Sequence, residues 1–216
     1  DAQLSRGLGD VYKRQREHLE KKSQIFVVCP YIEESENSDI KAAEKVYELY
    51  KSEFNKYNVE LLHGKMKADE KENKMLKMKN GEIDIMVSTV VIEVGIDITN
   101  ATLMIIESAE RFGLNQLHQL RGRVGRGDKQ SECIFHITEG KSFSKITKDG
   151  QERLNAIEQN DDGFKLSELD LQIRGEGKVT GTSQSGLSDL KIANLRTDYE
   201  ILETSKEYFL SMEDEE

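Results

Sequence analysis

Gln24 to Pro30 reads QIFVVCP, a short continuous apolar run with polar residues on either side. A half-exposed strand would alternate apolar with polar residues, so this run predicts a strand buried on both faces. Ala43, Val46, Tyr47, Tyr50 and Phe54 recur at helical spacing, which predicts an amphipathic helix. Val59 to His63 predicts a second strand, and Ala68 to Lys79 a helix rich in Lys and Glu. Ile83 to Val87 and Thr102 to Glu107 predict two more strands, Gly113 to Leu120 a helix, and Glu132 to Ile137 a further strand. Strands alternating with helices imply an α/β fold, a parallel sheet covered by helices on both faces. Ligands of such sheets sit beyond the carboxyl ends of the strands.

The pattern changes at both ends. Residues 1–22 carry Gly7, Gly9 and mixed charges without periodicity. They are expected to be unstructured, either a non-native leader or a flexible arm. After Thr138, residues 143–159 predict a helix broken near Gly150, and residues 164–173 a second helical stretch. Gly175, Gly177, Gly181 and Gly186 are expected in one loop, and Leu187 to Leu210 returns to helical spacing. The expected organisation is a leader (1–22), an α/β domain (23–139) and a hairpin, glycine loop and C-terminal helix (140–216).

Composition narrows the function. No apolar run approaches the roughly 20 residues of a membrane span. Cys29 and Cys133 lie far apart, each in an apolar run without metal-ligand spacing, which predicts two buried thiols in a reducing cytoplasm. The formal net charge of −10 argues by itself against binding nucleic acid, whose phosphates need cations. The charge is uneven, however. Arg111, Arg121, Arg123, Arg126 and Lys129 cluster, while Glu213 to Glu216 close the chain with acid.

Gln119-Leu-Arg-Gly-Arg-Val-Gly-Arg126 carries the most chemistry. Guanidinium is permanently charged and forks onto phosphate oxygens, and Gly122 and Gly125 allow a close backbone approach. The segment resembles the arginine-finger motif of superfamily-two helicases. The longer stretch from Glu110 to Gly127 looks like the RecG group of branched-DNA helicases. Ser88-Thr89-Val-Val-Ile-Glu93-Val-Gly95-Ile-Asp97 follows a predicted strand and resembles motif V of the same superfamily. A hydroxyl pair there suits a backbone phosphate, or alternatively starts a capped helix with no ligand. His63-Gly64-Lys65-Met66 resembles the H-G-x-M element that grips DNA in the RecG group, although a lone His after a strand is commonly structural. Arg174 to Gly186 fails as a phosphate-binding P-loop, because Gln172 and Val179 stand at its required positions. It resembles instead the translocation motif that RecG shares with the transcription-repair coupling factor Mfd, with Glu176 and Ser183 departing from the usual residues.

The resemblance implies a RecA-like C-terminal motor domain followed by a translocation hairpin. It implies catalytic roles for Arg123 and Arg126, and ATP contacts from Gln119, Gly95, Asp97 and Gly122. It implies DNA contacts from His63, Gly64, Ser88 and Thr89, and translocation through Arg174, Gly181 and Gln184. ATP and Mg²⁺ are the implied cofactors, the metal held mainly by a first motor domain, because no Walker A or D-E-x-H sequence occurs in this chain. The implied partners are branched double-stranded DNA, the motor and wedge domains of the same polypeptide, and single-stranded DNA-binding protein. The chain is thus expected to be part of a bacterial cytoplasmic helicase, inactive by itself. A fragment of the coupling factor and a non-catalytic DNA-binding module are the alternatives.

Overall fold

The computed structural model of the chain describes residues 2–5, 8–30, 36–89, 98–127, 129–138 and 140–177. The strands are β1 (Ala2–Ser5), β2 (Gln24–Val28), β3 (Val59–Leu62), β4 (Ile85–Ser88), β5 (Ala101–Ile106) and β6 (Glu132–His136). Among the described residues they form one sheet in the order β1-β6-β5-β2-β4-β3, with every neighbouring pair parallel. The helices are α1 (Leu8–Glu20), α2 (Glu36–Glu53), α3 (Ala68–Lys79), α4 (Leu114–Arg121), α5 (Lys148–Gln159) and α6 (Gly163–Gly177). The α/β architecture expected from the alternating pattern is the one observed.

Burial explains why the central strands are apolar throughout. Every residue of β2, β4 and β5 is buried, whereas edge strand β3 is only partly so. Ile25, Val27, Ile85, Val87, Leu103 and Ile105 pack in one cluster with Val11 and Leu19 of α1 and Ala43 and Tyr50 of α2. The alternate positions Phe26, Met86 and Met104 point the other way and are equally buried. Both faces are therefore removed from water, which is what an all-parallel sheet requires.

The expectation that residues 1–22 are unstructured is not met. Residues 8–20 form α1, and Val11 and Leu19 are 1% and 4% exposed. The helix escapes a reading by hydrophobic period because its buried stripe includes two polar residues. Gln15 is fully buried and its Nε2 donates to Tyr50 Oη at 2.7 Å. His18 Nδ1 lies 2.7 Å from Thr102 Oγ1. Burial, the largest influence on this imidazole, lowers its pKa against the opposing attraction of Glu132. Tyr12 meets Tyr50 and Phe54 edge to face at 6.2 and 6.0 Å, so an aromatic cluster reinforces the dock.

Two further expectations change. The helix break predicted near Gly150 falls instead at Ile146 and Thr147, where Thr147 Oγ1 caps α5 by accepting from Gly150 N at 3.2 Å. Gly175 and Gly177, expected in a loop, lie within α6. The chain divides into a compact unit of residues 1–167 and a second of residues 168–216, so the boundary expected near Gly140 lies inside the first unit. Of the second unit only the end of α6 is described. Gly181, Gln184 and the helix expected over 187–210 lie outside the described residues.

The docked α1 generates a stability prediction. Leu19→Ala removes a side chain that is 4% exposed and should cost about 2–5 kcal/mol in urea denaturation. A loss under about 0.5 kcal/mol, the scale of a surface substitution, would mean that α1 does not hold to the sheet.

Candidate nucleotide and nucleic-acid interface

The parallel pairing of β3 with β4 places Leu62 opposite Ser88, so His63 and Thr89 leave the sheet side by side at its carboxyl edge. Thr89 N donates to Leu62 O at 3.1 Å, which fixes the relative height of the two strand ends. Ser88 and Thr89 are almost completely buried. His63 Nδ1 and Thr89 Oγ1 are both buried and make no hydrogen bond among the described residues. An unsatisfied buried polar atom costs about 1–3 kcal/mol, so each of the two has a hydrogen bond still to offer. Gly64 exposes its backbone, its carbonyl accepts from Lys71 Nζ at 2.6 Å, and a Cβ there would meet nothing within 4 Å. Nothing inside the protein demands glycine at this position.

The arginine loop is built differently. Leu114, Leu117 and Leu120 bury one face of α4, leaving Gln119 exposed on the other. Arg121, the last residue of α4, turns inward and is 13% exposed. Its Nη1 donates to the carbonyls of Ile157 and Asn160, each at 2.8 Å, and lies 3.2 Å from Asp161. Its Nη2 lies 3.1 Å from His118 Nδ1. The carbonyls belong to the C-terminal end of α5, where a helix dipole favours a cation. Beyond Arg121 the chain turns, with Val124 buried and Gly125 at φ +79°, a left-handed conformation that glycine adopts without strain. Gly122 has an ordinary negative φ, and a Cβ there would sit 3.6 Å from the nearest carbonyls. Internal packing therefore requires glycine at 125 but not at 122.

Arg126 is exposed, with Nε donating to Gly122 O at 3.2 Å. Arg123 is half-buried, and its backbone N donates to Leu120 O at 2.9 Å. The basic cluster seen in the sequence is thus divided. Arg121 is an internal brace, Arg111 lies 3.9 Å from the buried Asp39, and Lys129 Nζ donates to Asn100 Oδ1 at 2.7 Å. A cavity of about 300 Å³ behind the loop is lined by His118, Arg121, Val124, Ser131, Glu132 and Cys133. Neither Arg123 nor Arg126 lines it.

One placement overturns a sequence expectation. His63, Ser88 and Thr89 lie at the carboxyl edge of the sheet, but the arginine loop precedes β6 and lies at the amino edge. The contact of Lys129 with Asn100 confirms this, because Asn100 directly precedes β5 and its carbonyl accepts from Gln24 N at the start of β2. The motifs are therefore divided between opposite edges. Gly95 and Asp97 lie outside the described residues, as do Gly181, Gln184 and the side chain of Arg174.

Histidines without neighbours in the sequence acquire partners across strands. His136 Nδ1 lies 2.5 Å from Glu107 Oε2, bringing the ends of β6 and β5 together. Cys29 and Cys133 are buried, unpaired thiols as expected. Burial pushes Cys133 up to about 12 and Cys29 higher still, which disfavours the thiolate form of both. No metal-binding cluster and no helix long and apolar enough to cross a membrane occur among the described residues.

The family profile of the helicase conserved C-terminal domain matches residues 9–128, more than half of the chain. The chain belongs to that helicase family. A second profile, ATP-dependent DNA helicase RecG, domain 3, C-terminal, matches residues 160–216. ATP-dependent DNA helicase RecG of Synechocystis sp. is 46% identical over 198 residues, covering 91% of this chain and 23% of the relative. RecG of Haemophilus influenzae is 45% identical, over 90% of this chain and 27% of the relative. This helicase domain thus spans about a quarter of the length of the curated relatives it matches. A structure of RecG bound to a three-way DNA junction matches with a TM-score of 0.68 and 38% identity, over 94% of this chain and 25% of that one. The yeast DEAD-box splicing factor Prp28 matches at 0.53 and 18% identity, which speaks for the fold alone. The helicase match begins inside α1, in agreement with its docking on the sheet.

The unequal roles of the arginines can be measured. Arg121→Ala should lower the unfolding free energy by about 1–3 kcal/mol, because it strands two buried carbonyls and His118. Arg126→Ala should change it by less than about 0.5 kcal/mol. Equal effects in chemical denaturation would show that the division into brace and outward groups is wrong.

Proposed function

We propose that the chain is the second motor domain and translocation region of an ATP-dependent branched-DNA helicase resembling RecG. In this reading the complete enzyme remodels stalled forks and Holliday junctions by moving on double-stranded DNA. The observation that carries it is the presentation of Arg123 and Arg126 from a loop braced from behind by Arg121. Exposed Arg126 and half-buried Arg123, with one exposed glutamine beside them, form half of a phosphate site. A neighbouring motor domain supplies the other half, including the groups that hold Mg²⁺.

The roles follow from geometry and charge. Arg123 and Arg126 meet the γ-phosphate when the two motor domains close, and they stabilise the charge that develops on its oxygens. Gln119, on the exposed face of α4, senses the nucleotide, and Gly122 leaves the backbone open to it. Gly95 and Asp97 are proposed to approach the same nucleotide from the motif V segment. His63, Gly64, Ser88 and Thr89 hold one DNA strand by its phosphates at the carboxyl edge. The hydrogen-bonding vacancies of His63 Nδ1 and Thr89 Oγ1 support that assignment. Arg174, Gly181 and Gln184 convert domain closure into a step along the duplex. The bonds from Arg121 tie the arginine loop to the end of α5.

The isolated chain is proposed to be inactive, because its arginines have no triphosphate site to complete. The complete protein takes branched DNA and ATP, works in a bacterial cytoplasm in DNA repair and recombination, and meets single-stranded DNA-binding protein at forks. The RecG profile over residues 160–216 favours this reading over the coupling factor.

In the complete enzyme, Arg126→Ala should lower ATP turnover by about 10³- to 10⁵-fold and leave fork binding intact. Steady-state hydrolysis with fork DNA measures this, and normal turnover would refute the assignment. Gln184→Ala should keep hydrolysis and lose unwinding in a strand-displacement assay. Parallel loss of both activities would show that the two roles are not separate.

A further inference from the structure

Between β4 and β5 the chain crosses from one edge of the sheet to the other. The chain leaves the carboxyl edge at Thr89 and is next described at Ile98, back at the amino edge, where Ala101 N donates to Ile98 O at 3.1 Å. Thr99 and Asn100 follow, and there this connection touches the arginine loop. A Cβ built on Gly127 would stand 2.9 Å from the Thr99 carbonyl oxygen, closer than side-chain carbons pack against backbone. Two residues on, Lys129 Nζ donates to Asn100 Oδ1 at 2.7 Å. Asn100 uses its other polar atoms on the core of the sheet. Its Nδ2 donates to Lys22 O at 3.0 Å, and its carbonyl accepts from Gln24 N at 2.9 Å. One amide therefore ties the starts of β2 and β5 to the segment beyond the arginines.

From this contact we infer that Gly127, Asn100 and Lys129 are positioning residues, which register the arginine loop against the segment returning from the DNA-holding Thr89. Gly127 allows van der Waals contact between two backbones, and Asn100 with Lys129 holds that contact in place. A movement of Thr99 is then passed to Arg126, one residue before Gly127. Packed backbones transmit such shifts because they have little freedom to absorb them. The inference rests on the proposed role of Arg123 and Arg126 in ATP hydrolysis.

The test uses the complete enzyme with ATP and fork DNA. Gly127→Ala adds one methyl group against a carbonyl and must push the loop away. Its fork-stimulated kcat should fall by about 10- to 100-fold, with the KM for ATP and the fork Kd changed less than about twofold. Lys129→Ala should lower fork stimulation by about two- to fivefold, the scale of one exposed polar contact, while DNA-independent turnover stays the same. Lys129→Arg should restore the stimulation. Unchanged kcat in Gly127→Ala, or a fall matched by lost thermal stability, would overturn the inference. If Gly127→Ala does not fold, the Lys129 pair decides alone, and equal stimulation in Lys129→Ala and the parent overturns it. Arg126→Ala serves as the control. Normal turnover there would remove the functional reading itself, whereas an inactive Arg126→Ala beside a fully active Gly127→Ala would remove only the inference.

Discussion

Arg121 is the side chain on which the placement of the others depends. A guanidinium has five donors in a rigid plane, and this one spends them on the carbonyls closing α5, on Asp161 and on His118. Those carbonyls would otherwise be unsatisfied at a helix end. With Arg121 committed inward, the chain must turn directly after α4, and Gly125 completes the turn at φ +79°. Arg123 and Arg126 then follow on a short loop whose base is tied to the end of α5. A loop fixed at its base loses little freedom when it closes on a ligand, which is the advantage of preorganisation.

The same economy of placement appears across the sheet. All strands are parallel, so every strand ends at one edge and every return connection arrives at the other. His63 and Thr89 occupy the first edge, and the arginine loop occupies the second. The groups proposed to hold nucleic acid and those proposed to meet nucleotide are thereby separated by the thickness of a buried core. Communication between them has to follow the covalent chain or packed backbone. The contact of Thr99 with Gly127 lies where both routes meet.

Much of this was legible in residue order, for identifiable reasons. The runs 24–30 and 102–107 are apolar because both faces of a central parallel strand are covered, and that pattern survives in one dimension. The motifs around Thr89 and Arg126 were legible because each is a set of particular side chains at fixed local spacing. Helix α1 was hidden because its buried face includes Gln15 and His18, each acceptable only through a distant partner, Tyr50 and Thr102. The helix break was misplaced at Gly150 because Thr147 works as a cap, which outweighs a glycine in the first turn of a helix. The partner of His136 is hidden along the chain because Glu107 lies 29 residues away, just beyond the end of β5.

By itself, the sequence determined the class of fold, the order of its central elements and the chemical nature of its candidate sites. Hydrophobic period and short motifs are local quantities, and local quantities can be read along a chain. Tertiary structure alone decided which arginine faces inward, that the motifs divide between two edges, and that Gly127 lies against Thr99. Each of those is set by contacts between residues far apart in the chain, whose strength depends on geometry that no spacing along the sequence records.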